Sequence, residues 1–386
     1  MVLARHVWLL AGLMPSFGLA QTANLNIWDV DKSCQDNQQY VQDSMDIALE
    51  MATAAKESLE FVAKAYPSNA DDKLKWKTIF KALSAVFGVQ AEYAQQDVSS
   101  GQIGQAYAVF SKMVSVMPSQ HNDPSDGYVS KLRAKIGHKP KIMCTDKEGP
   151  DSWQWYGEND KIPGKDKTLM QENDFTKFFL EGAVGAWIYD SRYAFKTEEK
   201  ETPILCVDGM KAAVYWDKDI VIFCDEMFND DWKNRPTPKA LKSGGISAGD
   251  DIGKHSETLP YVMVHELAHW FGGKDFATGK VNVVDHIAVT REGKLVYRVN
   301  GVKQEFDSPP PADPNTTPVL TYGRERVWYL ARPHTTYPDN SGPAKALTNA
   351  DSFSLFAFMM YLDKWDWADK GIAKVPADKK RKDPPN

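Results

Sequence analysis

The stretch Leu259-Pro260-Tyr261-Val262-Met263-Val264-His265-Glu266-Leu267-Ala268-His269-Trp270-Phe271-Gly272-Gly273 reads as one helix carrying its own stop signal. The helix runs from Leu259 to Phe271, and Gly272-Gly273 is the residue type at which helices most readily end. With successive side chains about 100° apart, Val264, Leu267, Ala268 and Phe271 cluster on one side, while His265, Glu266 and His269 lie on another. Two histidines four residues apart project from one face, one turn apart, so both imidazoles reach a single zinc ion. A glutamate one step after the first histidine is placed to polarise a water and shuttle its proton. The apolar stripe anchors the helix in a core and leaves the ligands facing a cleft.

Two histidines do not complete a catalytic zinc site, which needs a third protein ligand and leaves one position for water. No Glu-x-x-x-Asp arrangement follows downstream, and the position where HExxHxxGxxH would carry its third histidine holds Asp275. The remaining candidates are aspartates, Asp275 and Asp285, because zinc accepts a carboxylate oxygen readily. His286, beside Asp285, is an alternative ligand or a neighbour of the site.

Outward from this helix, the N-terminal side is helical by pattern. Asp43–Ala65 places Ile47, Met51, Leu59 and Ala63 at helical spacing before Pro67, and Trp76–Tyr93 and Ile103–Val116 read as two more amphipathic helices. From Ser119 to Pro203 the chain is richer in Gly, Pro, Trp and Lys and less periodic, apart from an apolar helical stretch near Phe175–Trp187. Val214-Tyr215-Trp216 and Ile220-Val221-Ile222-Phe223 are β-prone runs joined at Asp217-Lys218-Asp219 and flanked by Cys206 and Cys224, which suggests a hairpin with stapled ends. Beyond the HExxH helix, Val281–Val302 reads as strands, and Arg324–Ala331 and Ala350–Leu362 as helices. The expected class is α+β: a helical N-terminal layer, a small sheet and the HExxH helix.

The chain has 386 residues, 42% hydrophobic and 25% charged, with a formal net charge of −6, the composition of an ordinary globular protein. The acidic balance argues against nucleic-acid partners. A mean hydropathy of −0.46 and the lack of any apolar run of roughly 18 residues argue against a membrane span. Residues 1–20 carry Arg5 and His6, an apolar run Val7–Met14 and small residues Gly18 and Ala20, the layout of a secretory signal peptide. Export implies an oxidising destination, so the four cysteines, Cys34, Cys144, Cys206 and Cys224, suggest two disulfides with three possible connectivities. No CxxC pair points to a cysteine-bound zinc. Asn315-Thr316-Thr317 is a glycosylation sequon in the Pro-rich stretch Ser308–Pro318. Residues 21–370 are expected to form one domain, helical over 34–200 and catalytic over 201–370, followed by a charged, disordered tail at 371–386.

Four features resemble the aspzincin metallopeptidases, the deuterolysin and peptidyl-Lys metalloendopeptidase group. They are His265-Glu266-Leu267-Ala268-His269, the strand Asp219–Cys224 with Met227-Phe228, Tyr322-Gly323, and Asn349-Ala350-Asp351-Ser352-Phe353-Ser354-Leu355-Phe356-Ala357, which is similar to the family's NADSYxxFA helix. The match covers roughly Cys34–Leu362 in order and is good from Cys206 onward. The resemblance implies a zincin-like fold, and it implies Cys34–Cys144 and Cys206–Cys224 as the disulfides. In the family, a GTxDxxYG motif supplies the third ligand and a tyrosine that supports the transition state. Here Val319 stands where that aspartate belongs, as though an insertion has split the motif. Asp285 is the preferred displaced ligand, because Asp275 follows the helix end almost at once in a Gly/Lys context. Tyr322 corresponds to the family's tyrosine.

Asp351 matches the family's substrate-side acid. The alternative is that Asp351 caps its helix while Asn349 tethers a loop. Lysine-specific members carry a glutamate where this chain has Ser354. Trp153, Trp155, Trp365 and Trp367, at irregular spacing, read as packing residues rather than a sugar platform. The function expected is a secreted zinc endopeptidase acting on protein or peptide substrates, with zinc on His265, His269 and Asp285, Glu266 as general base, Tyr322 as oxyanion donor and Asp351 at the substrate. The alternative is a secreted zinc-binding protein without catalysis.

Overall fold

Helix α1 (Gln38–Ala63) buries Val41, Met45, Ala48, Ala52, Ala55, Leu59 and Val62, and these alternating steps of four and three residues keep a single stripe inward. The computed structural model that shows this describes residues 22–90, 97–118, 139–207, 209–273 and 282–377. The expected signal peptide and Asp275 lie outside the described residues. Helix α2 (Ala70–Phe87) starts where the Asn69 side chain accepts the Asp72 N–H. It ends at Gly88, whose positive φ of 69° turns the chain before the expected Tyr93. Helix α3 (Gly104–Val116) completes the N-terminal layer.

The helical expectation for 34–200 fails beyond α3. Residues 139–200 hold strands β2 (Lys141–Met143), β3 (Gln154–Gly157), β4 (Gly185–Tyr189) and β5 (Arg192–Lys196). The apolar stretch near Phe175–Trp187 divides into the short helix α4 (Asn173–Phe179) and strand β4. Gly182, at φ 95°, breaks the helix between them. Gly185 then allows Trp155 of β3 to lie flat against β4, where a β-carbon would collide with the indole. Strands β3, β4 and β5 form an antiparallel meander.

The main sheet has the order β1 (Asp29–Val30), β2, β7 (Ile220–Phe223), β6 (Ala212–Tyr215). β1 and β7 run parallel to β2, and β6 is antiparallel to β7 as the hairpin reading requires. β6 is an edge of this sheet among the described residues. Both disulfides are formed, Cys34–Cys144 and Cys206–Cys224, with Cα separations of 5.0 and 5.9 Å. The first ties the turn before α1 to the end of β2, and the second joins the ends flanking the β6–β7 hairpin.

Helix α5 (Leu259–Gly272) packs against α1, α3, β6 and the C-terminal helix α7 (Ala350–Tyr361). Its far side is fixed by Trp270, stacked on Trp216 at 5.1 Å and tilted against Trp28 at 5.3 Å. Every residue of α7 is buried, the polar Asp351, Ser352 and Ser354 included. Helix α6 (Arg324–Ala331) precedes it. A single apolar cluster extends from Ala23 to Ala373.

Of the expected strand region Val281–Val302, residues 282–290 form a loop with isolated bridges. β8 (Leu295–Val299) and β9 (Val302–Phe306) turn at Asn300-Gly301, and β10 (Thr316–Pro318) adds to β8. Residues 371–374, expected in a disordered tail, are tied down. Ala373 exchanges backbone hydrogen bonds with Gly249 and Asp250, and Lys374 pairs with Asp366. No described helix is long and apolar enough to cross a membrane. Trp153 and Trp367 are core residues, and Trp155 and Trp365 are half-buried.

Candidate metal centre

Helix geometry alone sets the first two donors: His265 and His269 stand one turn apart on α5, with their Nε2 atoms 3.2 Å from each other. The third donor arrives on a loop. Asp285 Oδ1 lies 3.2 Å from His265 Nε2 and 3.5 Å from His269 Nε2. Among the described residues these three are the group whose donor atoms converge closely enough to hold one metal ion.

The approach of that loop depends on Gly272, where a β-carbon would collide with Val283. Pressed against the helix end, Asn282 bonds to the Gly272 and Gly273 carbonyls, and the Val283 carbonyl meets His269 Nδ1 at 2.9 Å. That carbonyl makes Nδ1 the protonated nitrogen and leaves the Nε2 lone pair for a metal. The loop is then clamped on both sides of Asp285. The Val284 N–H donates to the Thr348 carbonyl, the Ala350 N–H to the Val284 carbonyl, and the His286 N–H to Asn349 Oδ1.

The split motif is rejoined through the backbone. Residues 289–318 leave as the β8–β10 excursion, and the chain returns antiparallel to its departure point. The Ala288 N–H donates to the Val319 carbonyl and the Thr321 N–H to the His286 carbonyl. This pairing brings Tyr322, 37 residues along the chain, into contact with Asp285, its hydroxyl donating to Oδ2 at 2.8 Å. Asp285 therefore presents Oδ1 to the histidines while Oδ2 is held by the phenol. Tyr322 is 45% exposed, and its ring edge packs on His265.

Glu266 is buried at 4% exposure. Burial raises its carboxyl pKa, against the opposing pull of His265 and His269. Burial, the largest influence, would lower His265 and His269, but the surrounding carboxylates, Asp285 foremost with Glu266 and, at His265, Asp351, together hold both above the ordinary imidazole value of 6.5. Asp285 is likewise penalised by burial, yet the two imidazoles keep it well below the usual carboxylate range. Burial and then Asp285 push the Tyr322 phenol up. No lysine or arginine pairs with Glu266, Asp285 or Asp351 among the described residues, so the pocket is built to receive positive charge.

A metal competes with protons for these imidazoles. Because Asp285 favours the imidazolium forms, metal affinity should fall as pH drops, starting above 6.5 rather than below it. Metal content after dialysis from about pH 8 to about pH 5 reads this directly. Retention unchanged to the acid end would contradict it.

The structure brings His265, Glu266, His269, Asp285 and Tyr322 together. His286 stands apart from the donor group, its Nε2 bonded to Thr348 Oγ1 at 2.7 Å and its pKa lowered to about 4 by burial and Lys345. Asp351 needs correction. It is 4% exposed and sits behind His265 with both oxygens engaged inside the protein, so it neither faces a substrate nor caps its own helix. Asn349 does tether the loop. The roles of the Val283 carbonyl, Gly272 and Tyr261 had no signal in the sequence beyond their closeness to HExxH or Asp285. Compared with known proteins, the chain matches no family model, no curated protein and no solved structure.

Proposed function

We propose that this protein is a secreted zinc-dependent metalloendopeptidase, a divergent aspzincin-like enzyme with a zincin-like arrangement of HExxH helix and mixed sheet. The observation that carries this reading is the donor triangle, with sides of 3.2, 3.2 and 3.5 Å. Ligands held at about 2.0–2.1 Å from a tetrahedral ion stand roughly 3.3 Å apart, and a two-His, one-carboxylate set suits zinc. His265, His269 and Asp285 would hold the ion, which when bound supplies a Lewis acid beside the substrate carbonyl. Glu266, next to this group and with no lysine or arginine paired to it among the described residues, accepts the proton of the attacking water and returns it to the leaving amine nitrogen. Its burial-raised carboxyl is suited to both halves of that transfer. Tyr322 donates to Asp285 at rest, and its hydroxyl becomes available to an oxyanion once that bond is given up. The two disulfides, with no free cysteine among the described residues, support an oxidising, extracellular setting.

Purified protein should contain about one zinc per chain. It should digest casein, lose that activity to a chelator and regain it with added zinc. Zinc binding with no digestion of any protein substrate would leave a zinc-binding protein without catalysis, and absence of bound zinc would remove the centre itself.

A further inference from the structure

The three consecutive residues Asn349-Ala350-Asp351 at the start of α7 contact the backbone on both sides of Asp285, the residue after Tyr322 and the back of His265. Asn349 Oδ1 and the Ala350 N–H hold the backbone on the two sides of Asp285. The Asp351 carboxylate faces the back of the other ligand, with Oδ1 3.5 Å from His265 Nδ1. The same oxygen accepts the Tyr261 hydroxyl at 3.1 Å, and Oδ2 accepts the Gly323 N–H at 2.6 Å. Gly323 follows Tyr322, whose hydroxyl holds Asp285. One carboxylate thus joins α5, α7 and the Tyr322 segment.

A substrate contact requires an accessible oxygen, and Asp351 is 4% exposed with both oxygens taken. A helix cap requires the carboxylate to receive N–H groups of its own helix, and its hydrogen-bond donors are instead the Tyr261 hydroxyl and the Gly323 N–H, with His265 Nδ1 at 3.5 Å. A buried carboxylate with no lysine or arginine beside it is costly unless its hydrogen bonds are all made and positive charge lies close by. Here a metal bound by His265, His269 and Asp285 would supply that positive charge, one imidazole away. A carboxylate on Nδ1 fixes which ring nitrogen carries the proton and aims the other. On His269 the Val283 carbonyl already does this.

Resting on the zinc reading above, we propose that Asp351 is a positioning residue of the metal centre, holding His265 with its Nε2 lone pair toward Asp285 and His269. Asn349 positions Asp285 in the same way through the backbone. The Asn-Ala-Asp segment therefore builds the metal site and does not read the substrate.

The test is Asp351→Asn in the full chain, with zinc affinity measured by competition against a chromogenic chelator. The amide keeps the size of the side chain but loses the charge and one acceptor. Zinc affinity should fall about 10–100-fold, the usual cost of losing an outer partner of a metal-bound histidine. The visible absorption of the cobalt-substituted protein should shift, and KM for a peptide substrate at saturating zinc should stay near wild type. Asn349→Ala, which removes no group from any ligand, should weaken zinc in the same direction and stands in if Asp351→Asn does not fold. Unchanged zinc affinity in both variants overturns the proposal, as does a raised KM with affinity intact, which would make Asp351 a substrate contact. Loss of melting temperature in the metal-free variant with zinc affinity and cobalt spectrum unchanged would make its role purely structural and overturn the proposal too. If wild-type protein binds no zinc, the metal reading falls first; if wild-type binds it and the variants match, only this inference falls.

Discussion

Glu266→Gln is expected to keep zinc at the wild-type ratio and to lose about 10²–10⁴-fold in kcat, the range that a positioned general acid–base contributes. The argument is one of geometry and charge. Glu266 is not among the converging donor atoms, so its amide removes nothing that holds the ion. The amide cannot accept a proton, and no second base takes its place. Among the described residues, Asp285 Oδ1 faces two imidazoles while Oδ2 holds Tyr322, and Asp351 is closed off behind His265. Burial of the glutamine side chain in place of a carboxylate also removes a desolvated charge, so the variant should fold at least as well as wild type. Equal proteolysis by the variant and wild type would end the general-base assignment, and loss of zinc along with activity would make Glu266 part of the metal site.

Asp285→Ala should have the second large effect, this time on the metal. It leaves two imidazoles, with zinc affinity reduced by more than the roughly 10–100-fold that loss of an outer partner costs. The cause is direct: Oδ1 is the only donor in the converging group that does not come from α5. Two further consequences distinguish this variant from a general weakening. Without the Asp285 charge, burial acts on His265 and His269 unopposed by their main partner and favours the neutral rings. The residual zinc binding should therefore depend less steeply on pH. Tyr322 loses its acceptor and its phenol becomes easier to ionise. Asp275→Ala is the comparison, expected to retain zinc; if that variant empties the site and Asp285→Ala does not, the third-ligand assignment passes to Asp275.

What the sequence determined by itself is local. His265, Glu266 and His269 are fixed relative to one another by the pitch of a single helix, so their grouping needs no knowledge of the rest of the chain. The same holds for the β6–β7 hairpin with its stapled ends and for α1 with its inward stripe. These are periodicities within one element, and the fold obeys them. The segment 139–200 shows where this stops: its apolar stretch near Phe175–Trp187 reads as one helix, yet a break at Gly182 leaves a short helix and sends the rest into a strand.

The third donor was only tertiary. In the sequence, Asp275 and Asp285 stand as alternatives and an insertion separates Tyr322 from both, because none of the three has a fixed spacing to the HExxH helix. Two contacts bring Asp285 to the histidines, while Asp275 lies outside the described residues. Gly272 lets Val283 press against the helix end, and the backbone pairing of 286–288 with 319–321 closes off a 30-residue excursion so that Tyr322 returns beside Asp285. The surroundings of Asp351 are tertiary for the same reason: the family resemblance assigns it to the substrate, but the helix that bears it is buried all round and its carboxylate lies 3.5 Å from His265 Nδ1. Spacing along a helix is set by the backbone's own hydrogen bonds; the meeting of Asp285, Tyr322 and Asp351 with that helix is set by which surfaces pack, and that is decided only when the whole chain folds.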